Sequence, residues 1–228
     1  MPLVCTEGIV LRMTPYQEYK QIVELFTACS GRISLIFSPK KQKKNCMPPL
    51  FGIVEAIYAE GGGINVLRRS FEMTPLSHNL GLRQALYRLE GAYGLVQALR
   101  YATPFCSSAP LLYALIKCYM GVMARACDPK AIVASFQLKL LQHEGLWKQM
   151  GKSCCQCGVC AKNTTVVCAE SYCDIHAPLR AVFFAEEEVS LINTLATIRS
   201  LSLLEKLQLS FSCANRIKQI FYDAFQMG

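Results

Sequence analysis

The sequence predicts an α+β protein in two parts: a five-stranded N-terminal barrel, then an α-helical domain carrying a metal-knuckle insert. Three observations lead there. Apolar residues up to Pro75 recur with a period near two, in short runs cut by Gly, Pro and Ser-Gly turns. Past Pro75 the period lengthens to about 3.6, the spacing of amphipathic helices. In the back third of the chain, Cys154, Cys157, Cys173 and His176 form a Cys-x2-Cys pair and a Cys-x2-His pair. The implied division is a barrel over residues 1–78 and a helical domain over 79–228, with the metal site at about 152–178.

The first strand is Gly8–Met13, ended by the Thr14-Pro15-Tyr16 turn. Lys20–Thr27 is the second, with Ile22, Val23, Leu25 and Phe26, and Ser30-Gly31 turns it back. Arg32–Phe37 is the third and reads as half-buried, Ile33, Leu35 and Phe37 alternating with Arg32, Ser34 and Ile36. A connection holding Lys40, Lys41, Lys43 and Lys44 follows, bounded by Pro39 and Pro48-Pro49, so it reads as a loop. Leu50–Glu60 and Ile64–Glu72 complete the set across the Gly61-Gly62-Gly63 turn. Five strands with tight turns and one long basic connection fit a small closed barrel such as the OB-fold. An SH3-like barrel uses the same number of strands.

Beyond Pro75, Leu82, Leu86, Leu89, Ala92, Leu95, Val96 and Leu99 trace one helical stripe, with Arg83, Arg88 and Glu90 off it. Further helices are expected over 109–126 and 129–148, the second opened by Asp128 as N-cap before Pro129 and stopped by Gly151. Leu179–Ala185 reads as a short strand. Glu186-Glu187-Glu188 then supplies an acidic first turn to a helix, favourable to its dipole. The last helix spans about Leu209 to Phe225. The apolar segment Ala109–Ala126 is not a membrane span, because Lys117 stands at its middle and the run is short for a hydrocarbon core of about 30 Å.

At 228 residues and 52% hydrophobic content, the chain has enough apolar mass for one or two packed cores. Its opening, Met1-Pro2-Leu3, lacks the basic n-region of a secretory signal, and Glu7 and Arg12 interrupt any apolar run. A reducing compartment is therefore expected, and there thirteen cysteines favour metal over disulfides. The net charge is +8 and uneven: Gly31–Leu50 holds five cations and no acid. A lysine loop of this kind is a counterion-releasing surface for phosphate backbones, or else a solvated loop that keeps the chain soluble.

Two knuckles at this spacing deliver four ligands to one tetrahedral Zn²⁺, and a closed four-ligand site leaves no open position for a substrate. The zinc is therefore structural in this reading. Cys155, Cys160 and Cys168 are spare thiols, and Cys157-Gly-Val-Cys160 is a competing first knuckle. Three enzyme signatures fall short. His143-Glu144-Gly-Leu-Trp147 has Trp where a zincin helix needs its second histidine. Gly151-Lys152-Ser153 ends like a P-loop without its spacing or its strand. The cysteine cluster lacks the His-x-Glu of nucleic-acid deaminases. The chain reads as a non-enzyme.

The run Gly8-Ile-Val-Leu-Arg12, Pro15-Tyr16-Gln-Glu18, Ile22-Val-Glu-Leu-Phe-Thr27 and Gly31-Arg-Ile-Ser-Leu35 resembles the N-terminal signature of the RecO family of bacterial recombination mediators. The order continues in the family's manner: basic loop, strand pair, helical domain, then Cys154-Cys-Gln-Cys-Gly158 and a second knuckle. The resemblance implies an N-terminal OB-fold. It favours Cys154, Cys157, Cys173 and His176 as the ligand set, His176 standing where many relatives have cysteine. It also implies a cytoplasmic, nucleoid-associated protein that binds single- and double-stranded DNA and anneals complementary strands. With RecR, such a protein assists RecA loading on DNA coated by single-strand-binding protein, whose C-terminal tail it contacts.

On this expectation Arg12, Lys20, Arg32, Lys40, Lys41, Lys43, Lys44, Arg68 and Arg69 are candidate phosphate contacts on or beside the barrel strands. Tyr16, Tyr19 and Phe37 are candidate base-stacking residues, or equally barrel core. The competing reading is a zinc-stabilised protein–protein interaction module that does not touch DNA.

Overall fold

The computed structural model describes residues 2–39, 47–60, 67–147, 150–151, 153–159, 164–167, 170–179 and 181–227. The chain divides into two compact units, Met1–Arg125 and Ala126–Gly228.

The first unit is built on a closed barrel of β1 (Leu3–Tyr16), β2 (Lys20–Thr27), β3 (Gly31–Phe37), β4 (Ile53–Ala59) and β5 (Arg68–Ser77), in the order β1-β2-β3-β5-β4. All pairings are antiparallel except β3–β5, where Leu35 faces Arg68 and Ile36 faces Arg69. One parallel closure in a five-stranded antiparallel barrel is OB-type topology, which separates it from the SH3-like alternative. The barrel is filled by the inward set Val10, Val23, Leu25, Ile33, Leu35, Phe37, Val54, Ala56, Tyr58 and Met73. Phe37 is fully buried and is barrel core.

β1 is longer than its apolar run suggests, because it pairs with β4 through one half and with β2 through the other. A register shift between Val10 and Arg12 accommodates the extra residue, so Ile9, Val10 and Leu11 are buried in succession. β2 is buried from Val23 to Thr27 rather than alternately. Its outward residues meet helices of the same unit: α1 (Leu86–Ala102) and α2 (Pro110–Met123). The Phe26 ring lies 6.3 Å from that of Tyr113 on α2.

Glu24 is the outward acid of β2, 6% exposed. Its Oε1 accepts from Arg32 Nε at 3.0 Å and from Arg100 Nε at 3.1 Å. Arg32 Nη1 donates to the carbonyls of Arg100 and Thr103 at the end of α1, and its guanidinium covers the Phe105 ring at 4.1 Å. Burial pulls the Arg32 pKa down, while Glu24 opposes the shift. Gly31 opens β3 at φ +58, where an added Cβ would sit 1.9 Å from the Ser107 carbonyl oxygen. On β1, Glu7 accepts from Tyr113 Oη at 2.6 Å and Lys117 Nζ at 2.7 Å.

The expected helical stripe from Leu82 divides in two. Leu80–Gln84 is a 3₁₀ turn, Ala85 is extended, and α1 begins at Leu86. Leu86 is consequently 71% exposed, whereas Leu95, Val96 and Leu99 are buried. Among the described residues, no helix is long and apolar enough to cross a membrane.

The second unit packs α3 (Lys130–His143) against α4 (Glu186–Thr197) and α6 (Phe211–Met227), with the short α5 (Leu201–Leu204) between the latter two in sequence. α3 is apolar nearly all round and is buried accordingly, and its Ser135 hydroxyl donates to the Leu195 carbonyl at 2.7 Å. The helix starts at Lys130 with Pro129, not Asp128, at the N-cap position, while Asp128 Oδ1 accepts from the Lys130 N–H at 3.0 Å from just before it. Gly145 at φ +73, not Gly151, ends that run, the left-handed residue being the usual helix stop. At α4, Glu188 reaches back to the Ala185 N–H at 3.1 Å and is also held by Arg216 of α6. A small sheet of β6 (Thr164–Val167), β7 (Glu170–Tyr172) and β8 (Val182–Phe184), in the order β7-β6-β8, completes this unit.

Two measurements test these contacts. Arg32→Met leaves a buried carboxylate short of a partner and should lower urea-derived stability by about 3–5 kcal/mol. A loss below about 1 kcal/mol would show that the network does not hold the unit. Lys117, then Tyr113, hold the Glu7 carboxyl below its usual range. Its contribution is therefore present above about pH 4.3 and disappears as pH falls through the lowered folded value. Glu7→Gln should cost about 0.2–1 kcal/mol at pH 7 for this half-exposed pair. The two proteins should converge in acid, and a constant difference down to pH 2 would reject the ion pair as the cause.

Candidate metal centre and nucleic-acid interface

Two tight turns bring the metal-type ligands together. In the first, Gly158 N–H returns to the Cys154 carbonyl at 2.9 Å and Cys154 N–H donates to the Val159 carbonyl at 3.0 Å. Gly158 adopts φ +71, a conformation that costs glycine nothing. In the second, His176 N–H donates to the Cys173 carbonyl at 3.1 Å. The Cys155 N–H to Ser171 carbonyl bond, 2.8 Å, ties the first turn to β7.

The Sγ atoms of Cys154, Cys157 and Cys173 and a ring nitrogen of His176 all lie within 4.8 Å of one another. Cys157 Sγ is 3.8 Å from Cys173 Sγ, and His176 Nδ1 is 3.8 Å from Cys154 Sγ and 3.3 Å from Cys173 Sγ. Tetrahedral zinc with Zn–S near 2.3 Å and Zn–N near 2.0–2.1 Å requires ligand separations of about 3.5–3.8 Å. Three thiols and one imidazole at these distances fit a four-coordinate ion with no open position. Cys154 and Cys173 are buried, His176 is half-buried and Cys157 is exposed.

The electrostatics agree with a cation site. The Cys173 N–H is the main influence that lowers the Cys154 pKa to about 6. The His176 N–H likewise lowers that of Cys173. For Cys157 the Val159 N–H favours the thiolate, but burial and the neighbouring thiols outweigh it and push the thiol up. His176 is raised by Cys173 first and then Cys154. A divalent cation bound by the four would displace their protons.

Cys160 of the competing knuckle, like Cys168, lies outside the described residues. Cys155 is exposed and outside the four-ligand cluster. The small sheet was not legible beforehand. β6 and β7 have four and three residues, too few to show a period, so nothing in the sequence marks Ser171, whose carbonyl and hydroxyl anchor the Cys155 and Gly151 N–H groups.

The barrel cations separate into classes. Arg32 is 7% exposed and spends its donors on Glu24 and two carbonyls, so it is a structural residue rather than a phosphate contact. The signal available in the sequence was Glu24, a lone acid inside an apolar strand, which needs a buried cation. Arg68 is half-buried, with Nη2 3.5 Å from Cys106 Sγ and its guanidinium near the Tyr58 ring. Arg12, Lys20 and Arg69 are exposed. Lys20 Nζ donates to Gln17 Oε1 at 2.8 Å, and Arg69 lies 5.4 Å from the Phe71 ring centre. Lys40, Lys41, Lys43 and Lys44 lie outside the described residues.

Register places the exposed cations on one outward surface. Thr14 faces Ile22, Ile22 faces Ile36, and Ile36 faces Arg69, so these four form a row across β1, β2, β3 and β5. Tyr16 faces Lys20 beside that row, and Arg12 shares the strand face of Thr14 and Tyr16. At about 4.8 Å per strand the row is roughly 14 Å wide. Tyr16 and Tyr19 are 37% and 56% exposed at the β1–β2 hairpin, so aromatic and cationic groups are neighbours there.

Comparison with known proteins points the same way. Residues 1–71 match the family described as Recombination protein O N terminal. A DNA repair protein RecO of Listeria monocytogenes is 25% identical over 158 residues, covering 69% of this chain and 60% of the relative. Those of Psychromonas ingrahamii and Bacillus cytotoxicus are 25% and 23% identical, covering 64% and 71% of this chain and 61% and 63% of theirs. The matched stretch thus spans about 60% of the length of these curated relatives. The matched residues 1–71 hold most of the OB-type barrel, and over about two thirds of its length the chain is similar to proteins named DNA repair protein RecO.

Proposed function

We propose that this chain is a non-enzymatic mediator of recombinational DNA repair. It binds single- and double-stranded DNA through the barrel of residues 1–78 and anneals complementary strands. With RecR it assists RecA loading on DNA coated by single-strand-binding protein, whose C-terminal tail it contacts. The observation that carries the DNA reading is the register row that sets Arg12, Lys20 and Arg69 on one outward barrel surface beside Tyr16. OB barrels take single strands on this face, with cations along the backbone and aromatic rings under the bases. Two complementary strands repel through their phosphates. A cationic surface that neutralises both therefore speeds pairing without a chemical step. The similarity to RecO proteins is what supports these protein partners and a cytoplasmic, nucleoid-associated location in this proposal.

In the same proposal, Cys154, Cys157, Cys173 and His176 hold one structural Zn²⁺ that joins the two knuckles. A closed Cys₃His site contributes folding free energy and leaves no position for substrate.

Two experiments test these readings. Arg12→Glu, Lys20→Glu and Arg69→Glu together, and separately Lys40, Lys41, Lys43 and Lys44→Glu, should weaken single-strand binding across sequences. Each lost contact should flatten the salt slope by about 0.7, and annealing should fall in parallel. Folded variants with unchanged affinity and annealing would remove DNA binding from the barrel. Metal analysis of the purified chain should find about one zinc per chain. Cys173→Ser and His176→Ala should lose it with a lower melting temperature, and stoichiometric zinc in both variants would reject the ligand set.

A further inference from the structure

The four clustered ligands are unequally protected. Cys154 and Cys173 are 3% and 8% exposed, whereas Cys157 is open to solvent. Cys157 Sγ stands 3.8 Å from Cys173 Sγ. A disulfide needs about 2.05 Å, so the remaining gap is of the order that side-chain rotation closes. The neighbouring thiol, Cys155, lies outside the cluster, with Tyr172 against it and its N–H fixed on the Ser171 carbonyl.

The contacts that hold the turns in place do not involve sulfur. They are the Cys154–Val159 and Gly158–Cys154 backbone bonds, the Cys155–Ser171 bond, and the β6–β7 ladder of Thr165 with Tyr172, Val166 with Ser171 and Val167 with Glu170. Cys157 and Cys173 therefore remain neighbours when the sulfur chemistry changes.

We propose that Cys157 is a peroxide-sensitive modification site, and that a Cys157–Cys173 disulfide replaces the metal as the link between the two knuckles. The inference rests on the zinc reading above. The Cys157 sulfur, giving up its proton, attacks one oxygen of hydrogen peroxide and the O–O bond breaks. The products are a Cys157 sulfenic acid and a hydroxide that takes up a proton. The Cys173 thiolate then attacks the sulfenic sulfur and the S–O bond breaks. The second hydroxide leaves as water after protonation. Two sulfurs have together given two electrons to one peroxide, and two waters are formed. Only Cys154 and His176 remain for the ion, which is too few for a structural site, so zinc leaves. A dithiol reductant restores both thiolates, and added zinc restores the site.

The test uses the full chain with its zinc content measured first. Hydrogen peroxide is then added, zinc release is followed with a chromogenic chelator, and disulfides are located by peptide mapping. The expected result is one Cys157–Cys173 disulfide per zinc released, reversed by dithiothreitol plus zinc and unchanged in Cys155→Ser. Zinc retained while the exposed Cys5 and Cys29 oxidise would overturn the proposal. So would zinc released with Cys157 as sulfinic acid, or with Cys157 joined to Cys155 or Cys160. A purified chain with no zinc would reject the metal reading alone. Peptide mapping of that metal-free chain then decides the thiol site: the Cys157–Cys173 bond supports it and any other product rejects it.

Discussion

Glu24 is the point on which the first unit turns. One buried carboxylate oxygen accepts from Arg32 and Arg100, and Arg32 carries the link to the carbonyls that end α1. Desolvating charged groups is costly, and here the carboxylate oxygen accepts from both arginines while Arg32 also meets two carbonyls and the Phe105 ring. It also specifies geometry. Glu24 faces Ser34 in the β2–β3 ladder, so a one-residue slip would turn the acid into the barrel and leave both arginines without it. The barrel register and the position of α1 are thus fixed together. Gly31, one residue before Arg32, reinforces this, since a side chain there would strike the Ser107 backbone.

The barrel was legible because its strands carry the inward alternation themselves: Ile33, Leu35 and Phe37 are core, and Lys20–Thr27 is the second strand as read. Where tertiary contacts override local pattern, the sequence was a poorer guide. β1 extends to Leu3 because β4 is there to pair with it, and Leu86 falls on the helical stripe yet stays in solvent. Arg32 looked like a surface cation because it occupies an outward strand position. Only the covering end of α1 makes that position interior. The metal ligands were legible from spacing, whereas the sheet that supports them was not, its strands being too short to declare a period.

The two candidate sites rest on different physics. The barrel surface would work by charge density and exposed aromatic faces, both tolerant of small displacements and both sensitive to salt. The knuckles need donor atoms within a few tenths of an ångström and are indifferent to moderate salt. Each set of contacts lies inside its own unit: the barrel cations in Met1–Arg125, the Cys₃His cluster in Ala126–Gly228. If the barrel holds DNA as proposed, the first kind of site is the one that would meet the phosphates. The second kind would serve as a local clamp joining the two turns that carry Cys154, Cys157, Cys173 and His176.

As proposed, DNA contact belongs to the barrel and the metal to the stability of the second unit. The most direct measurement compares single-strand affinity and its salt slope before and after zinc is removed by a chelator, with melting followed on the same samples. The account expects a lower melting temperature and an unchanged salt slope. A slope that collapses with the metal, in a chain whose barrel remains folded, would contradict it and move the DNA surface to the second unit.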